Sequence, residues 1–307
     1  LLFNTLEKQE AINSIPDEIT YYIEVIRGEP SALRKDGNVT IAQVKYKMFE
    51  DTTSCEKTAL LGEDDYDCQF FLHIYKWYIN NVCTTRLANN LEPTLGAGGH
   101  IVSEIKKMKS KNRLCLAIVD SDKKYPTHQP GKETTCYKCM KIKETSIYKL
   151  MVLNVQEIEN LFPLEYINNH KFEGVGIINK QHFDTLLNNC HTEYILQYLD
   201  LKKGVKKSDV VNDTHYQTFM SYCFIHNSLI NKGLEFQDFL SSISDDDYIQ
   251  RPLQESLLKN VLNDIKEREK NKEELHPYLF EFQEIEWKRI GQFLLDWGCA
   301  RSKEALV

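Results

Sequence analysis
No stretch of this 307-residue sequence approaches the roughly 18 consecutive apolar residues that a membrane-crossing helix needs, so no membrane role is expected. The opening residues, LLFNTLEKQEAINSIPDE, lack the basic-then-apolar order of a secretion signal, and a cytoplasmic protein is expected. Internal repeats and long low-complexity linkers are missing. So is a GxxxxGK(S/T) phosphate loop, and any nucleotide-driven switching would have to come from another chain. The nine cysteines are odd in number and scattered, which points to reduced, mostly core thiols rather than a disulfide framework. A net charge of −7 argues against a protein that coats nucleic acid non-specifically and directs attention to local basic patches. What is present is a 42% apolar content, enough for real cores in one large or two ordinary domains.

The pattern along the chain reads as α/β. Residues 20–27 and 39–49 alternate β-branched or aromatic with polar residues and predict a β-hairpin or meander, so that residues 1–55 form a β-rich extension. Residues 58–61 are a short apolar run ending at Gly62, followed by the acidic turn GEDDYD and by QFFLHIYKWYINNV, a strand, turn and buried helix. The same grammar recurs: a helix over 101–109, an apolar strand over 114–119, and another over 148–155 followed by QEIENLFPLEYI, which should open a helix. Strands alternating with helices predict a parallel sheet flanked by helices, with ligands at its carboxyl edge. Beyond Gln181 the pattern turns helical, giving an α-helical C-terminal third over 206–307.

Two acidic turns carry the chemistry. Asp120-Ser121-Asp122 closes the LCLAIV run, and residues two apart in a strand share a face, so both carboxylates could hold one hard cation beyond the sheet edge. By itself Asp-x-Asp also serves as a loop cap. Glu63 and Asp67, four apart across the earlier turn, could face the same cleft, or could simply open a helix whose dipole favours acidic residues. Were both strand ends to converge, four carboxylates would repel one another unless cations compensated.

The order of an apolar strand, Glu-x-x-x-Asp, a glycine turn at Gly98 and Gly99, and a second apolar strand ending in Asp-x-Asp resembles the TOPRIM domain. The later Gln156-Glu157-Ile158-Glu159-Asn160-Leu161 is similar to the Arg-Glu-Ile-Glu-Asn-Tyr-type segment of TOPRIM nucleases related to the overcoming-lysogenization-defect (OLD) proteins, and of defence-system TOPRIM proteins found beside ATPases. The resemblance spans about residues 56–205, with a Cys-containing insertion at about 123–147. Asp64 departs from it, because the family usually has Gly after its first glutamate. It implies a TOPRIM-like sheet and a metal set of Glu63, Asp67, Asp120, Asp122 and Glu157 or Glu159, holding Mg²⁺ or Mn²⁺ as two ions. It further implies phosphodiester hydrolysis with Glu63 as metal ligand or acid/base and Lys203 offsetting phosphate charge. The expected activity is thus a Mg²⁺-dependent endonuclease, the effector of a prokaryotic antiviral system controlled by a partner ATPase, with DNA or RNA as substrate and room for a homo-oligomer. The alternative is a non-catalytic nucleic-acid- or partner-binding protein.

Basic residues flank the second acidic turn. Lys123, Lys124, Lys132 and Lys138 are candidates to grip a phosphate backbone, although a solvated loop gives the same pattern. Cys136 and Cys139 make half of a zinc site that Cys223 and His226, or Cys190 and His191, could complete. Free thiols in a loop are the plainer reading.

Overall fold
The structure is a computed structural model. It describes residues 18–30, 33–50, 52–84, 87–95, 100–168, 176–188, 190–225, 236–253, 256–271 and 277–301. Gly98, Gly99 and His226 lie outside the described residues. In chain order the first elements are β1 (Tyr21–Ile26), β2 (Arg34–Asp36), β3 (Val39–Lys45), β4 (Thr58–Gly62), α1 (Asp65–Asn81), β5 (Leu87–Asn89) and β6 (Leu91–Leu95). There follow α2 (Ile101–Ser110), β7 (Cys115–Val119), α3 (Thr135–Met140), β8 (Tyr148–Val152), α4 (Leu164–Asn168), α5 (Gly176–Asn188) and α6 (Thr192–Leu196). The last are β9 (Val205–Lys206), α7 (Lys207–Val211), α8 (Thr214–Ile225), α9 (Phe236–Ser242), β10 (Tyr248–Gln250), α10 (Leu257–Lys270), α11 (Glu281–Gly298) and β11 (Cys299–Arg301). Contacts divide the chain into two compact units: Leu1–Ile118, Lys141–Met151 and Trp287–Val307 form the first, and Val119–Met140 and Val152–Glu286 the second.

The first unit holds a four-stranded all-parallel sheet in the order β6-β4-β7-β8, flanked by helices. TALLG of β4 and CLAIV of β7 are buried at every position, as strands covered on both faces must be. Ala59 pairs with Cys115 and Leu61 with Ala117 in parallel register, so β4 and β7 end at the same edge of the sheet. α1 lays Phe70, Phe71, Ile74, Tyr75 and Tyr78 into the core, each contributing about 1.5–3 kcal/mol of apolar burial. Trp287 meets Phe70 and Trp77 edge-on at 6.0 and 5.3 Å. Asp296 of α11 accepts hydrogen bonds from the Thr20 N–H and hydroxyl, both at 2.7 Å, and so anchors the start of β1.

The N-terminal strands differ from the expected hairpin. β1 pairs with β3 in parallel, and the antiparallel hairpin is β2–β3, closed by the turn at Gly37 and Asn38. Residues 46–49, expected to extend the strand, lie instead in a 3₁₀ turn, Tyr46–Glu50. The expected helix after β8 is likewise a single 3₁₀ turn, Ile158–Leu161, followed by the short α4. Pro163 explains the break, since it has no N–H to give and disfavours helical geometry in the residue before it.

The second unit is mostly helical, with a buried polar seam. The Asn160 amide donates to the carbonyls of Leu196 (2.7 Å) and Leu199 (2.8 Å), and the Gln283 amide donates to those of Asn160 (3.1 Å) and Phe162 (2.9 Å). Glu286 accepts from the Asn154 N–H and side-chain amide at 2.9 and 3.0 Å. Each such bond satisfies a group whose burial would otherwise be costly. No helix among the described residues is long and apolar enough to cross a membrane.

Candidate functional site
β7 ends at Val119, and the strand geometry stops there. Asp122 has φ +55, in the left-handed region, so the two-residue strand period expected to align Asp120 with Asp122 does not apply. Another device fixes the turn. The Ser121 hydroxyl donates to the Val155 carbonyl at 2.5 Å, and the N–H groups of Ser121 and Asp122 both donate to the Gln156 carbonyl, at 3.1 and 3.0 Å. Asp120 Oδ1 accepts the Ile158 N–H at 2.9 Å. The Asp-x-Asp turn is therefore latched across Gln156-Glu157-Ile158, more than thirty residues later in the chain. Aspartate tolerates a left-handed backbone better than most residues, yet the conformation is uncommon enough to mark the position.

The same segment reaches a third one. Glu157 Oε1 accepts the N–H groups of Leu201 (2.8 Å) and Lys202 (3.3 Å), and Lys202 Nζ lies 2.8 Å from Glu159 Oε1, whose side chain is wholly buried. Asp200 Oδ1 accepts the Lys203 N–H at 2.6 Å. The turn closes at Gly204, where φ is +77 and a Cβ would stand 2.5 Å from the Gln250 carbonyl oxygen. Only glycine fits there.

Electrostatics follow from this crowding. Burial first, then the neighbouring Glu159 and Asp200, hold the Glu157 carboxyl well above the usual glutamate range, against the pull of Lys202 and the Leu201 N–H. Burial likewise raises Asp200, opposed by the Lys203 and Lys202 charges. Asp122 is also raised by burial, with Thr134, Lys203 and His128 pulling it back and Asp200 pushing it further. Burial alone would lower Lys202, but Glu159, Glu157 and Asp120 outweigh it and its ammonium is held more tightly than usual. Lys202 is thus the cation on which this group of carboxylates leans.

Asp120, Asp122, Glu157, Glu159 and Lys203 all belong to this second-unit assembly. Lys202 and Asp200 join them although sequence reasoning passed over both. DLKKG offers two adjacent lysines, and only the burial of Glu159 beside Lys202 shows which of them is its counter-charge. Glu63 and Asp67 belong to the first unit. There Asp67 Oδ2 accepts the Asp64 N–H and Asp64 Oδ1 accepts the Asp67 N–H, both at 2.9 Å, a reciprocal cap on α1. Gly62 is required beside it, because a Cβ would come within 2.9 Å of the Asp67 Cβ.

Of the basic candidates, Lys124 lines a pocket with Lys203, Lys123 is half-buried with its N–H on Ser121 Oγ (3.2 Å), and Lys132 and Lys138 are exposed. Lys138 pairs with Glu133 at 3.5 Å. The insertion is anchored: Tyr125 is buried against His128, its hydroxyl 3.3 Å from Asp213 Oδ2. Cys136 and Cys139 are buried on α3, and Cys136 Sγ lies 3.8 Å from Met140 Sδ. Burial pushes the Cys223 and Cys190 thiols up to about 12, each unsuited to ready ionisation. Among the described residues no group of three or more His, Cys, Asp or Glu side chains could hold a metal ion. Compared with protein-family models, with curated proteins and with solved structures, the chain matches none.

Proposed function
We propose that the chain is a Mg²⁺-dependent endonuclease of the TOPRIM type, cleaving nucleic-acid phosphodiesters as an effector that a partner ATPase controls. The observation that carries this reading is the latching of the Asp120–Asp122 turn to Gln156–Ile158, and of that segment in turn to Asp200–Gly204. Three segments distant in sequence, each rich in charge, are thereby held together at the end of a parallel strand, where α/β folds place their ligands.

Asp120 and Asp122 are the hard oxygen donors of this reading. Mg²⁺ is commonly held by one or two carboxylates together with substrate phosphates, so a two-aspartate turn fits it without a full protein cage. Glu157 and Glu159 are engaged within the fold and serve as positioning groups, fixing Leu201–Lys203. When bound, the metal would supply Lewis-acid polarisation of the phosphate and a more acidic water. The chain's own part is to hold Asp120 by the Ile158 N–H and to present the Lys203 ammonium to a phosphate anion. Glu63 and Asp67 remain candidates on the family resemblance, with Glu63→Gln testing them through activity alone.

A second reading, a non-catalytic nucleic-acid- or partner-binding protein, is favoured by one fact: the carboxylates of Asp67, Glu157 and Glu159 already cap helices or pair within the fold. The deciding experiment incubates purified chain, alone and with candidate partner ATPases, with plasmid, linear DNA and tRNA in Mg²⁺ or Mn²⁺. Metal-dependent cleavage supports the first reading. Retention of nucleic acid without cleavage in any combination supports the second.

A further inference from the structure
Beside the latched turn, within the second unit, lies a pocket of about 420 Å³. That volume falls in the roughly 300–1,000 Å³ range of small-molecule sites. Lys124, Lys203 and Lys206 line it, with Asp200, Gln156 and Tyr216 among its other walls. None of the three lysines is in an ion pair among the described residues. The two carboxylates of the lining are turned to local work: Asp200 accepts the Lys203 N–H at 2.6 Å and Asp209 the Lys206 N–H at 3.2 Å. Three ammonium groups around one concavity, against two capping carboxylates, leave it short of negative charge.

A second observation points to a larger ligand than a bare anion. Gln156 is 8% exposed, yet its buried Oε1 has no hydrogen-bond partner. Buried amide oxygens are nearly always satisfied, and because Gln156 is one of the residues that line the pocket, a ligand is where its missing donor can come from. Tyr216, 2% exposed, supplies an aromatic wall, and Lys124 Nζ stands 5.9 Å from its ring centroid.

We propose that this pocket binds a nucleoside monophosphate, its phosphate among Lys124, Lys203 and Lys206 and a hydrogen-bond-donating edge of its base on Gln156. Adenine, with a donor and an acceptor side by side, is the base that a carboxamide matches with both its groups. The inference goes beyond cleavage and is read by binding alone. A chain that cuts nucleic acid and binds no nucleotide loses this proposal only, and one that binds AMP and cuts nothing loses the cleavage reading only.

The test is calorimetric titration of the full chain with AMP, its three ribonucleotide counterparts and inorganic phosphate. Hydrogen exchange of residues 200–206 is followed with and without AMP, a readout that needs no variant. AMP should bind about tenfold or more tightly than phosphate and slow exchange over that turn. Gln156→Leu should erase the advantage of AMP over phosphate, and Lys206→Gln should weaken both ligands. The proposal is overturned if AMP binds no better than phosphate, or if exchange at 200–206 is unchanged by saturating AMP. It is equally overturned if folded Gln156→Leu protein keeps the wild-type ratio.

Discussion

Replacing Lys202 with methionine isolates the electrostatic centre of the second unit. The side chain of Glu159 is wholly buried, and its Oε1 stands 2.8 Å from the Lys202 ammonium, itself about one-third exposed at 33%. Removing one partner of a buried pair costs about 3–5 kcal/mol, because the other charge is stranded. Water reaches Lys202 from one side, so the lower end, about 3 kcal/mol, is expected. For a cooperative unit of 150–250 residues this corresponds to roughly 6–12 °C in melting temperature. Trp77, Trp287 and Trp297 belong to the first unit, so tryptophan fluorescence is the wrong probe. Circular dichroism melting and hydrogen exchange over residues 156–166 are the right ones. Combining Lys202→Met with Glu159→Gln should recover most of the loss, since no charge is then left buried without a partner. A single-variant loss under about 1 kcal/mol, or a double variant whose loss equals the sum of the singles, would refute the assignment of Lys202 as the shared counter-charge.

Glu157 sets a pH dependence. Its folded-state pKa is raised, so between the usual glutamate range and that higher value the folded chain keeps a proton that the unfolded chain has lost. Stability should therefore fall as pH rises through this window, and Glu157→Gln, which keeps an oxygen for the Leu201 N–H, should flatten the fall in melts between pH 4.5 and pH 8. An unaltered pH profile in that variant contradicts the reading. Gly204→Ala should cost more than about 2 kcal/mol in urea unfolding, since it adds left-handed strain to a 2.5 Å approach to the Gln250 carbonyl. A neutral effect would mean that the Asp200–Gly204 turn is not held as described. Cys190 and Cys223, with thiols pushed up to about 12, should resist alkylation at pH 8 in native protein and react only on unfolding. Rapid modification of either under native conditions would mean that the thiol is open to solvent in the folded protein.

What was readable in the sequence, and what was not, divides along physical lines. TALLG and CLAIV announced themselves because a strand covered on both faces must be apolar throughout. Alternation in residues 20–27 and 39–45 likewise identified strands, but a period of two says nothing about which neighbour a strand takes or in which direction, and β1 and β3 run parallel. Asp120-Ser121-Asp122 was legible as a turn at a strand end. Its actual support, the Ser121 hydroxyl and the Gln156 carbonyl, depends on a partner segment that local patterning cannot locate. The Gln156–Asn160 segment was singled out by family resemblance, yet its glutamates serve Leu201 and Lys202. Nothing in DLKKG distinguishes Lys203, the expected phosphate partner, from Lys202. Only the burial of Glu159 does. Asp67, a metal ligand on the family resemblance, also has a local role that its place at a helix start announces, as the capping partner of Asp64.

The central claim is that the latched Asp120–Asp122 turn is a catalytic metal-binding turn, and the most direct measurement compares wild type with Asp120→Asn. An amide keeps an oxygen to accept the Ile158 N–H, which sits 2.9 Å from Oδ1, so the fold should be retained while a hard anionic ligand is lost. Cleavage of plasmid, linear DNA and tRNA is followed in Mg²⁺ and in EDTA, alone and with partner ATPases, alongside melting curves of both proteins. The account predicts Mg²⁺-dependent cleavage by wild type and its loss in a variant that melts within a few degrees of wild type. Cleavage by folded Asp120→Asn protein at the wild-type rate would contradict it.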